Sequence, residues 1–90
     1  MKAYSITYDL KVPGKNYEDL YSAIKTCGKW WHYLDSTWIV ISHETSQQIW
    51  NKLAPAVDKS DFVLIIEVRK DCFGWLPKDA WDWISQNVPA

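Results

Sequence analysis

Apolar residues recur along this chain at two different periods, and the order in which those periods alternate restricts the fold more than any single residue does. Over residues 2–10, Tyr4, Ile6, Tyr8 and Leu10 fall on one side of an extended segment and Ala3, Ser5, Thr7 and Asp9 on the other, the period of a strand with one apolar and one small polar face. Val12, Pro13 and Gly14 then favour a turn, so a loop begins directly after Asp9. From residue 17 the spacing changes. Tyr17, Leu20, Tyr21, Ile24 and Cys27 lie three or four apart, one face of a helix that Asn16 is placed to cap and Gly28 to stop.

Extended segments return at residues 30–34, which are aromatic, and at 37–42, which are β-branched and aromatic; only Asp35 and Ser36 separate them, as in a hairpin. Thr45 followed by Gln48 is a capping-box pattern that opens a second helix. Its buried stripe is Ile49, Trp50 and Leu53, extending to Val57, and Pro55 disturbs its end because the proline ring clashes with the preceding turn. Residues 62–68 are almost continuously apolar, the pattern of a strand covered on both faces.

Strand, helix, strand, strand, helix, strand is the split β-α-β order, which predicts an α+β domain of ferredoxin-like βαββαβ type: a four-stranded antiparallel sheet with two helices on one face. Beyond it, Pro77 suits a first helical turn, and Ala80, Trp81 and Ile84 follow at helical spacing, so a C-terminal helix is expected. Ninety residues, 48% of them hydrophobic and 16% aromatic, suffice for one core and not two. The expected organisation is therefore a single domain over residues 1–90, with a core over 2–70 and a helical extension over 75–88. The sheet face away from the two helices must be covered by that extension or by a second copy. A homodimer is expected, because Val63 and Ile65 would otherwise expose apolar surface.

The formal charge is −1, and nine lysines with the single Arg69 form no basic run, which counts against a strong nonspecific grip on nucleic acid. Residues 1–9 alternate polar and apolar side chains with no basic region followed by an apolar run. Neither a signal peptide nor a membrane span is expected, and the expected location is the cytoplasm, where Cys27 and Cys72 would be free thiols.

The segments Ser5-Ile6-Thr7-Tyr8-Asp9 and Trp31-His32-Tyr33-Leu34-Asp35-Ser36-Thr37-Trp38-Ile39-Val40, with the helix ending near Gly28 between them, resemble the small ferredoxin-like nuclease subunit of the CRISPR spacer-acquisition complex. The resemblance spans roughly the first seventy residues. It is nearer to the short bacterial and phage proteins labelled SinR-like and more distant to the virulence-associated protein D toxins. It implies a nuclease-related homodimer of a bacterial or phage defence or conflict system, acting on RNA or DNA. In that family an aspartate ending the first strand meets its symmetry mate around a divalent cation, and the matching position is Asp9. Asp9 is then both the catalytic and the metal-binding candidate, with Mg2+ or Mn2+ as the cofactor. A carboxylate is a hard oxygen ligand for such an ion, and a metal-bound water can cleave a phosphodiester.

Tyr8 and Lys11 flank Asp9 as candidate binding residues, Ser36 and Thr37 match small polar positions in the family's second hairpin, and Arg69 could meet a phosphate or pair with Glu67. Trp38, with Trp30 and Trp31, could stack on bases or serve packing. His32 and His43 lack a recognisable metal spacing. Trp75, Trp81 and Trp83, among Asp79 and Asp82, make an acidic aromatic tail suited to a protein partner, with Trp83 as its anchor. Two function classes stay open: a magnesium-dependent endonuclease or nuclease-like binder built on Asp9, and a noncatalytic module binding a protein or nucleotide. The residues after Asp9, Leu10-Lys11-Val12-Pro13-Gly14, carry one lysine where family members often have basic residues, which favours the second class on mechanism, while the resemblance favours the first and puts the nuclease-related reading slightly ahead by ancestry, not by demonstrated catalysis.

Overall fold

The computed structural model describes residues 1–90 as β1 (Lys2–Asp9), α1 (Glu18–Lys25), β2 (Lys29–Leu34), β3 (Thr37–Ser42), α2 (Ser46–Leu53), a 3-10 turn (Ala54–Ala56), β4 (Phe62–Val68) and α3 (Lys78–Asn87). The four strands form one sheet in the order β2-β3-β1-β4, and every neighbouring pair is antiparallel. This α+β arrangement is compatible with a ferredoxin-like fold. It places Ile6 opposite Trp38 on one side and Ile65 on the other, so the apolar face of β1 lies at the centre of the sheet.

α1 and α2 cover that face. Leu20 and Ile24 from α1 and Ile49 and Leu53 from α2 close over Tyr4, Ile6, Tyr8, Trp38 and Val40. Removal of these side chains from water is the main stabilising term of the domain. Thr45 caps α2 as its sequence predicts: its hydroxyl accepts from the Gln48 amide at 3.2 Å while the Gln48 side chain accepts from the Thr45 amide at 2.9 Å. α1 starts one residue later than expected. Tyr17 occupies the cap position, and Asn16 instead accepts the Glu18 amide at 2.9 Å.

Gly28 adopts φ 146°, and a Cβ there would run into the Ile41 carbonyl, so both the conformation and the close approach of β3 require glycine. The hairpin turn at Asp35 and Ser36 contains no positive φ, and the β2–β3 register shifts between Trp31 and Leu34. A two-residue turn without left-handed residues splays its strands, and this irregularity absorbs the mismatch.

On the opposite face α3 packs on β2. Ala80 and Ile84 of α3, with Val88, bury Ala3, Trp31 and Ile41, and the Trp31 indole N–H donates to the Ala80 carbonyl at 3.2 Å. The α3 cluster reaches β4 only at Val68, its last residue, and this corrects the reading of residues 62–68 as a doubly covered strand. Val63 and Ile65 are half-buried against the helical side, whereas Phe62, Leu64 and Ile66 remain 69%, 59% and 53% exposed on the other. The apolar surface left open is thus that of Phe62, Leu64 and Ile66, not of Val63 and Ile65.

Candidate functional site

Asp9 ends β1 opposite Phe62 of β4. Its carboxylate meets Lys11 Nζ at 2.8 Å, with both side chains well exposed, 64% for Asp9 and 45% for Lys11. An ion pair in that setting contributes little, so it leaves the carboxylate accessible. Thr7, Tyr8, Phe62, Val63 and Leu64 complete a shallow depression of about 270 Å³ around it. Nowhere in the chain do three or more His, Cys, Asp or Glu side chains gather as a metal-ligand set. A cation held at Asp9 would find one carboxylate per chain there, and the remaining ligands would have to come from water, substrate or a second copy.

The acid nearest this end of the sheet in structural role is Asp61, which sequence reasoning passed over. Asp61 Oδ1 accepts from the Lys11 amide at 2.7 Å and from the Tyr17 hydroxyl at 2.9 Å, and Oδ2 accepts from the Asp58 amide at 2.8 Å. Burial pushes the Asp61 carboxyl up, but the Lys11 and Asp58 amides and the Tyr17 hydroxyl outweigh it and hold it below the ordinary aspartate range. Asp61 fastens the β1–α1 loop and the start of α1 to the start of β4. The apolar run that follows Asp61 gave no sequence signal for this, since its donors come from residues 11, 17 and 58.

The other candidates are distributed over the sheet. Tyr8 is buried; its hydroxyl accepts from the Trp38 indole N–H at 3.0 Å and donates to the Asp35 carbonyl at 3.2 Å. Burial raises the Tyr8 hydroxyl above its ordinary value. Trp38 is 2% exposed and His32 stacks on it at 3.8 Å, so Trp38 is a core residue with no free face for a base. Trp31 is equally buried, and Trp30 is partly exposed with Lys25 Nζ 5.0 Å from its ring. Ser36 accepts the Tyr8 amide through its carbonyl at 3.1 Å. Thr37, Thr7 and Ser5 form a row of hydroxyls across the open face, 3.4 Å apart at each step.

Arg69 follows Val68, whereas Asp9 pairs with Phe62 at the other end of β4, so the two lie roughly 20 Å apart along the strand direction. Arg69 makes no ion pair with Glu67 or any other acid. The structure therefore gathers Tyr8, Asp9, Lys11, Ser36 and Thr37 at one end of the sheet and leaves Arg69 at the other. Trp83, expected to anchor a partner, is half-buried against the α3 core.

Arg69 borders a concavity of about 350 Å³ between the open sheet face, α3 and the β4–α3 loop. Ile39, Trp81, Ile84 and Val88 line it with Phe73 and Trp75 of the loop, and its polar groups include Ser5, Thr37 and Arg69. Phe73 and Trp75 are fully exposed to solvent. Sequence reasoning placed Trp75 in an aromatic tail and passed over Phe73; a groove formed by a loop, a helix and a sheet has no local sequence signature. No helix is long and apolar enough to cross a membrane. A comparison of the chain with protein-family models, curated proteins and solved structures finds no match.

Proposed function

We propose that this chain is a noncatalytic binding module of ferredoxin-like fold, paired as a homodimer along β4 and using the open face of its sheet to take a ligand. The strand order β2-β3-β1-β4 supports the fold name, since it joins the two β-α-β halves through central β1 and β3. One observation carries the functional reading: Phe62, Leu64 and Ile66 form an exposed apolar row on an edge strand whose outer backbone groups have no partner. Such an edge is a template for another strand. Antiparallel pairing of two β4 strands about Ile65 sets Leu64 of one copy opposite Ile66 of the other on the same open face, so the apolar row along the edge is self-complementary.

A second reading, a metal-dependent nuclease-like homodimer of a defence system acting on RNA or DNA, is favoured by the exposed carboxylate of Asp9 at a strand end. The two readings require different dimers. Pairing centred on Ile65 separates the two Asp9 residues by about 20 Å along the strands, whereas a shared Mg2+ or Mn2+ needs them in contact across stacked sheet faces.

Light scattering on the wild type and on Leu64→Lys, with RNA and DNA cleavage assays in magnesium or manganese on the wild type and Asp9→Ala, tests both. A dimer that Leu64→Lys dissociates, without cleavage, supports the module. Cleavage that disappears in Asp9→Ala establishes the nuclease instead, and a wild type that stays monomeric removes the β4 dimer.

A further inference from the structure

We propose that the groove beside α3 binds a small apolar acid, with Arg69 meeting its carboxylate and the loop aromatics Phe73 and Trp75 closing over its apolar body. This rests on the reading of the open sheet face as the ligand-binding surface and not on the dimer.

The size is suitable: about 350 Å³ holds roughly a dozen water-sized groups and falls in the range of small-molecule sites. The polarity is uneven. Ile39, Ile84 and Trp81 make the groove apolar along most of its length, and its one cation is Arg69. Arg69 is the only arginine of the chain and takes part in no ion pair. A guanidinium presents a planar fork of donors that a carboxylate fills with two parallel hydrogen bonds. An apolar trough with a single free guanidinium at its edge is complementary to an amphiphilic anion. A neutral or cationic ligand of the same shape would leave that fork unused or repelled.

The loop supplies the cover. Residues 71–76 take part in no backbone–backbone hydrogen bond, while the flanking segment is held by the Lys70 amide on the Pro89 carbonyl at 3.0 Å. Phe73 and Trp75 stand in solvent on either side of Gly74, which has open space around it. Lowering both rings onto a bound chain would bury aromatic area that is now wet and would break no backbone pairing.

Decanoate, decanol and decyltrimethylammonium, each below its micelle concentration, are titrated into the wild type, Arg69→Gln and Trp75→Phe with tryptophan emission as the readout. The expected result is saturable decanoate binding with a blue shift that Trp75→Phe removes. Decanoate should bind about tenfold more weakly to Arg69→Gln, the loss of one charge-assisted contact, while decanol is unaffected by that change. Absence of saturable decanoate binding, equal affinity for all three probes, or an unchanged affinity in Arg69→Gln overturns the proposal. Failure here with an intact, cleavage-inactive dimer leaves the module reading standing, and cleavage dependent on Asp9 removes that reading without reference to the groove.

Discussion

Replacing Asp61 by asparagine keeps its shape and removes its charge. Three donors converge on the carboxylate, two on Oδ1 and one on Oδ2. An amide has one acceptor oxygen, so its NH2 must face one of those donors, and the remaining hydrogen bonds lose their charge assistance. One lost bond and two weakened ones, discounted for the water that reaches this end of the sheet, cost about 2 kcal/mol, which for a domain of this size lowers Tm by roughly 10 °C. The sign of the pH dependence follows from the depressed folded-state value of Asp61. Its stabilisation is complete above the unfolded value of about 4 and is lost as the pH falls through the lower folded value. Urea unfolding of both proteins, followed by tryptophan emission, should show the full gap at neutral pH and a narrowing gap in acid below about pH 4. Equal midpoints at neutral pH, or a gap that persists in strong acid, would refute the assignment of Asp61 as the ionised clasp between the β1–α1 loop and β4.

Two further substitutions separate packing from function. Trp38→Ala removes a core ring that lies 2% exposed and holds the Tyr8 hydroxyl, and should cost about 3–5 kcal/mol in urea unfolding; wild-type stability would show that the ring is not part of the core. Any loss of binding in that variant reports unfolding. Thr45→Ala breaks the capping box of α2 and should cost about 1 kcal/mol by the same measurement, with no loss if water replaces the hydroxyl at no cost.

Elements that bury one face announced themselves through period. The first strand, expected over residues 2–10 and found as Lys2–Asp9, the helix face running from Leu20 to Ile24 and the Thr45 to Gln48 capping box each depend on residues close in sequence, and each was legible for that reason. β4 was not. A continuous apolar run reads the same whether its second face is covered or left in water, and only the position of α3 decides between them. Among the candidate residues, Asp9 at the end of β1 and Ser36 at the turn are where their spacing puts them. The burial of Trp38 needed the registry of β3 against β1 and the stacking of His32 to be known.

Local spacing thus determined which segments form strands and helices, because hydrophobic period and capping act over a few residues. Tertiary structure decided everything that depends on residues far apart in the chain: the convergence of residues 11, 17 and 58 on Asp61, the groove that Arg69 borders, and the bare row of Phe62, Leu64 and Ile66. A side chain's exposure is set by what packs over it, and here that covering layer, α3, begins ten residues after β4 ends and settles over Ala3, Trp31, Ile41 and Val68, leaving Phe62, Leu64 and Ile66 bare.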